Sequence, residues 1–303
     1  MTNLKWLASF VLAVNMVPAL LAETHCPGNV ESVPFRLVNR YQMVVPVFVN
    51  RSGPYNFLLD TGTQITMLDP SLVAKLHLTT QGAAVVASVG SHASASYAQL
   101  DVIAVGSHSW VNHMVLAYDL KNLQATSLDV DGVLGEDFLE QFDMLIDNAH
   151  RLLCLDDSGA MRSDMKGQHI QLVIEPQTEV SVALPGMLII LARLSDGMRP
   201  VRLKLDSGTN ASFLYNTPQY MTLGPLREAS LYGGGNGSQR TFIALPSQHV
   251  EIGSLELPQV TFVTLAGVQK DSHTTEFDGL LTLGIFKKVF ISPVDHFAVL
   301  EPW

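Results

Sequence analysis

Asp60-Thr61-Gly62-Thr63 and Asp206-Ser207-Gly208-Thr209 write the same four-residue pattern twice in one chain, 146 residues apart. Each copy follows an apolar run, Phe57-Leu58-Leu59 in the first and Val201 with Leu203 and Leu205 in the second. A strand ending this way delivers a carboxylate at a tight turn. Two carboxylates held about 3 Å apart cannot both ionise cheaply, so one keeps a proton while the other stays charged. Such a pair can hold a water, take its proton as it attacks a carbonyl, and hydrogen-bond the oxyanion that develops. Asp60 and Asp206 are therefore the candidate catalytic residues. Gly62 and Gly208 allow close backbone approach at the two turns. Thr61 and Ser207 offer hydroxyls that can bond the opposite turn, and Thr63 and Thr209 can donate to the outer carboxylate oxygens.

The elements that must position these turns are duplicated as well. Before each turn lie two apolar strands, Met43 to Val49 and Tyr55 to Leu59 in the first half, Met187 to Leu194 and Pro200 to Leu205 in the second. Asn50-Arg51-Ser52-Gly53-Pro54 and Ser195-Asp196-Gly197 supply the intervening turns. Short apolar strands follow at Ile65 to Leu68 and Ala211 to Tyr215. Asp69-Pro70 with Ser71 to Leu76 reads as a capped helix. Asp131-Gly132-Val133-Leu134-Gly135 and Asp278-Gly279-Leu280-Leu281 place their first glycines 72 and 73 residues past the two aspartates. Helices are expected at Glu136 to Gln141 and Ile285 to Lys288, with Phe138 matching Phe286, Phe142 matching Phe290, and Asp147 matching Asp295 at a constant offset of 148. Gly284 falls two residues later than a counterpart of Gly135 should. The match over so long a stretch marks an internal duplication, mostly β with few short helices. Residues 157–168 are the expected linker.

The 303 residues, 47% hydrophobic and 15% charged, suffice for a sizeable core. A net charge of −10 with no basic block disfavours nucleic acid as a partner. Residues 1–22 read as a secretory leader, with Lys5 ahead of an apolar run; an uncleaved membrane anchor is the alternative. Cys26 and Cys154 can pair in an oxidising compartment, or Cys154 can serve as a small buried hydrophobe within Leu152-Leu153-Cys154-Leu155. His77, His92, His108 and His113 stand at no metal-ligand spacing, so no metal and no cofactor is expected. No Gly-x-Ser-x-Gly elbow is present, and the glycines at 233–237 lack the Lys-Ser/Thr of a phosphate loop.

With Asp-Thr/Ser-Gly-Thr after apolar residues and an apolar-apolar-Gly motif downstream in each half, the chain resembles the retropepsin-like and pepsin-like aspartic proteases. It looks more like bacterial retropepsin-like enzymes fused in tandem than like pepsin. The resemblance implies an all-β bilobal acid-protease fold, with two pseudo-twofold related lobes at residues 34–157 and 168–303 and a six-stranded sheet between them. It implies Asp60 and Asp206 as a catalytic dyad in an endopeptidase with a polypeptide substrate, while the presence of both Asp turns in one chain points to a monomer and the leader to a secreted or periplasmic location. It also implies hairpin flaps near residues 87–97 and 231–240, with Tyr97 the aromatic near the first. A catalytically inactive bilobal protein that binds peptides or cell-wall material is the rival reading.

Overall fold

The computed structural model describes residues 25–88, 91–121, 128–175, 186–195, 199–215, 227–231, 240–265 and 277–303. The expected leader, the tip of the first hairpin at 89–90 and the glycines at 233–237 lie outside them. The architecture is all-β and bilobal, built on three sheets.

The first half forms an eight-stranded sheet, and most of the second half forms a ten-stranded one. In each, an Asp strand lies between a long apolar partner and a short glycine strand. Gln42–Val49 pairs antiparallel with Ser52–Leu59, which runs parallel to Gly132–Leu134. Met187–Leu194 pairs antiparallel with Val201–Asp206, which runs parallel to Gly279–Thr282. Seven of the eight residues in Gln42–Val49 are apolar, and six of the eight are buried, because the strand is covered on both faces. Its hairpin is tighter than the sequence suggested. Asn50 and Arg51 alone form the loop, both in the left-handed region at φ 48° and 64°, so the strand expected from Tyr55 begins at Ser52. Asn50 Oδ1 then accepts from the Asp101 and Val102 amides and pins the loop to the neighbouring strand.

The third sheet has six strands in the order Ser32–Pro34, Leu152–Asp156, Asp143–Asp147, Phe286–Ser292, Phe297–Pro302, Ile170–Gln171. Its two central strands come from opposite halves and pair antiparallel, with Leu145 opposite Phe290. The hairpins that carry them turn at equivalent left-handed residues, Arg151 and His296. Both the hairpins and the central pair are thus related by an offset of 145, which corrects the 148 read from sequence. Phe290 corresponds to Leu145 rather than Phe142. Asp147 corresponds to Ser292: each accepts an amide three residues on, from His150 and Asp295 respectively.

The cause lies in the segment just before. In the first half Glu136–Leu139 is an α-helical turn, whereas the second half has only a 3-10 turn at Leu283–Ile285 and enters its strand at Phe286. The helix expected at Ile285 to Lys288 is therefore absent, and the second half is shorter there. The glycine strands themselves keep identical register. Phe57 faces Gly132 as Leu203 faces Gly279, so Thr282, not Gly284, stands where Gly135 stands. Gly284 instead packs against the Tyr41 ring.

The expected helix after Asp69 is present at Pro70–Lys75, with Asp69 Oδ1 accepting from the Ser71 amide. Residues 157–168 are ordered by side chains. Asp156 accepts from the Ser158 and Met161 amides, and Arg162 binds Asp143 and Asp295, 3.1 Å from the latter. Cys26 and Cys154 form a disulfide that ties the N-terminal segment to the six-stranded sheet. The largest apolar cluster contains buried residues of both halves, including Phe57, Phe138, Phe262 and Phe286.

Candidate active site

Each aspartate ends a strand whose neighbour fixes its backbone. The Asp60 amide donates to the Leu134 carbonyl at 3.0 Å, and Asp206 lies in register with Thr282. The chain then doubles back, so that the Gly62 amide donates to Asp60 Oδ1 at 2.7 Å and the Gly208 amide to Asp206 Oδ1 at 2.8 Å. Glycine is required at both places by proximity. A Cβ on Gly62 would overlap the Asp206 carboxyl, and one on Gly208 would overlap that of Asp60. Each carboxyl therefore rests on the other half's turn, which brings the two together.

The residues after the aspartates lock this arrangement. The Thr61 amide donates to Ser207 Oγ at 3.0 Å, and the Ser207 amide donates to Thr61 Oγ1 at 3.1 Å. Each hydroxyl in turn donates across the interface, Thr61 to the Leu205 carbonyl at 2.9 Å and Ser207 to the Leu59 carbonyl at 2.8 Å. Both residues are fully buried, so none of these four bonds competes with water. Such bonds are worth about 1 kcal/mol each net, and losing one partner costs more because the other is left buried and unpaired.

Symmetry fails at the next position. Thr63 Oγ1 donates to Asp60 Oδ2 at 2.7 Å, as its place in the pattern predicts. The Thr209 hydroxyl turns away to the Ala211 carbonyl, and the Thr209 amide donates to Asp206 Oδ1 at 3.0 Å in its stead. Thr282 contributes to this difference, because its hydroxyl donates to the Thr209 carbonyl at 2.8 Å where the first half has only Gly135. Asp60 thus has donors on both oxygens, while both donors to Asp206 converge on Oδ1.

Burial raises the pKa of both carboxyls. That of Asp206 is pushed up to about 7, by burial first and by the neighbouring Asp60 charge second. The ammonium of Lys204 pulls both downward. Lys204 is buried, 3% exposed, and its Nζ donates to the Gly62 carbonyl across the interface at 3.0 Å. It also lies 3.5 Å from Glu136 Oε2, and burial pushes the Glu136 carboxyl up to about 8. On the other side, Gln42 Nε2 donates to the Gly208 carbonyl at 2.8 Å. Tyr215 is driven up to about 12 by burial and by Asp206.

The two Asp-x-Gly motifs do not point to Lys204, Glu136, Gln42 or Tyr215. For Lys204 a signal was present: a lysine in an apolar strand at the position where the first copy has Leu58. Glu136 was assigned only to a helix, and nothing local distinguishes Gln42. Around the expected flaps, Thr80–Ser88 pairs antiparallel with Ser91–Val105 and Arg227–Leu231 with Arg240–Ala244, while residues 89–90 and 232–239 between them lie outside the described residues. Tyr97 is half-buried against the cluster of Val44, Leu58 and Met67. His113 is buried with Nε2 2.9 Å from Asp137 Oδ2 and its ring against Trp110, while His108 packs on Phe142.

Residues 45–138 match the aspartyl protease family. The matched segment spans the Asp60 turn, the first hairpin and the Gly132 strand. The crystal structure of a retropepsin-like aspartic protease from Rickettsia conorii is also similar, at 22% identity and a TM-score of 0.32, covering 42% of this chain and 90% of that one. No curated protein matches the chain.

Proposed function

We propose that this protein is an aspartic endopeptidase in which Asp60 and Asp206 share one proton and activate a water between them. The observation that carries the proposal is the reciprocal exchange at Thr61 and Ser207, which seats each carboxyl on the glycine of the opposite turn. Asp60, with donors on both oxygens, is the better-stabilised anion and takes the proton of the attacking water. Asp206, raised to about 7, keeps its proton and hydrogen-bonds the oxyanion forming on the peptide carbonyl. The proton gained by Asp60 then passes to the leaving amine. Because the groups are coupled, the working state is that of the pair.

The substrate is a polypeptide, and both aspartates belong to one chain, so the active species is a monomer. A secreted or periplasmic location fits the Cys26–Cys154 disulfide, which persists in oxidising compartments. The test is hydrolysis of unfolded protein by the full chain, followed with pH and with chelator. Cleavage that survives chelation and falls as pH rises through about 7 is expected. Activity lost to a chelator and restored by zinc would replace the dyad with a metal mechanism, and peptide binding without cleavage would favour the inactive binding protein.

A further inference from the structure

Lys204 stands out among the buried groups as an unlikely tenant of its position. In the first half the residue two before the aspartate is Leu58, an ordinary core side chain that is 2% exposed. A lysine ammonium at such a site costs several kcal/mol to desolvate unless anions are near. One role is already visible, the bond to the Gly62 carbonyl at 3.0 Å. That bond needs no charge, because on the opposite turn a neutral amide, Gln42, holds the Gly208 carbonyl at 2.8 Å. The charge therefore calls for a separate explanation.

The charged and titratable groups around Lys204 are Asp60 and Asp206 at the turns and Glu136 on the short helix of the other half. Glu136 is a weak partner. It approaches only to 3.5 Å, and although Lys204 draws it down, burial pushes its carboxyl up to about 8, so most of it is uncharged below that pH. Below that pH, the negative charge available to Lys204 is the one shared by the two aspartates.

We propose that Lys204 is the counter-ion of the aspartate pair, a positioning residue whose buried ammonium, reaching under the opposite turn, sets the pH range over which the pair holds a single proton. The inference rests on the dyad reading above. With the cation in place the singly ionised pair is stabilised in a site that otherwise disfavours any charge, and the pair reaches its working state at lower pH. Glu136 limits the effect from the other side: once it ionises, it draws on the same ammonium.

The experiment follows the carboxyl titration of the full chain by 13C NMR, alongside the pH profile of peptide hydrolysis, in the wild type, Lys204→Met, Lys204→Gln and Glu136→Gln. Lys204→Met removes the charge at similar volume, and Lys204→Gln keeps a donor without the charge. In either, both titration steps of the pair should move to higher pH by about one pH unit or more, and the hydrolysis profile should move with them. Glu136→Gln should leave the acid limb in place or move the alkaline limb lower. Unchanged titration in a folded Lys204 variant overturns the proposal, as does an upward shift in Glu136→Gln. If Lys204→Met does not fold, Lys204→Gln carries the same expectation. A wild type that cleaves nothing while its carboxyl titration shifts as expected would refute the peptidase reading and leave the counter-ion standing. Cleavage with no shift in the Lys204 variants would do the reverse.

Discussion

At the scale of single residues, the centre rests on groups that are useful because they are buried. Ser207→Ala removes the acceptor of the Thr61 amide and the donor to the Leu59 carbonyl, leaving both unpaired where water does not reach. It should lower unfolding free energy by about 1–3 kcal/mol in urea titrations, whereas exposed serines elsewhere should cost almost nothing. The buried carboxyls also tie stability to pH. Folded protein holds the Asp206 proton up to about pH 7, while an unfolded aspartate releases it near pH ~3.9. Between those values the folded state binds more protons, so stability is greatest at the acid end and falls as pH rises through the window. In Asp206→Asn this part of the slope should vanish, and thermal midpoints measured from about pH 4 to 8 should run flatter than in the wild type. The Asp turns and their glycines were readable from sequence because their chemistry is local. Lys204 and Glu136 were not paired in advance, since their meeting depends on how the two halves dock.

At the scale of elements, the two halves agree where hydrogen bonding dictates geometry and differ where packing has freedom. Both Asp strands run parallel to a glycine strand in identical register, and Gly132 admits no side chain because a Cβ would overlap the Phe57 ring. Gly132→Ala should therefore destabilise the protein strongly and lower its yield of folded material, and Gly284→Ala should do so as well, because its added Cβ would overlap the Tyr41 Cβ, which ring rotation does not move. Thermal midpoints of the two variants compare them directly. Sequence matching of the later aromatics misplaced Phe290 and Asp295, because a helical turn in one half is a 3-10 turn in the other and shifts everything after it. Hydrophobic pattern alone does not fix that shift, since Phe286 and Phe138 are equally buried either way. The disulfide was left open by sequence for a similar reason: pairing over a separation of 128 residues depends on the six-stranded sheet that brings Ser32 opposite Cys154. Reducing it should lower the thermal midpoint by releasing a long loop, a loss of about 2–5 kcal/mol.

At the scale of the molecule, the duplication was visible in outline, because each half repeats strand, turn and glycine strand at nearly constant spacing, and the all-β bilobal plan followed from the family resemblance. What the repeat could not reveal was the extent to which the halves share one centre: central strands paired Leu145 to Phe290, apolar residues of both in one cluster, and four hydrogen bonds exchanged at the turns. On the proposed dyad, a chain that supplies both aspartates would need no partner copy. Specific activity should hold constant on dilution, and light scattering should report a monomer at the same concentrations; a steep loss on dilution would mean that a second copy completes the site. The most direct measurement is turnover of a peptide substrate by Asp60→Asn, Asp206→Asn and the double variant. Residues that act as one unit fail together, so each single change should reduce kcat by about a thousandfold or more, with the double variant little worse than either. Substantial hydrolysis by Asp206→Asn, or losses that multiply in the double variant, would contradict a shared dyad.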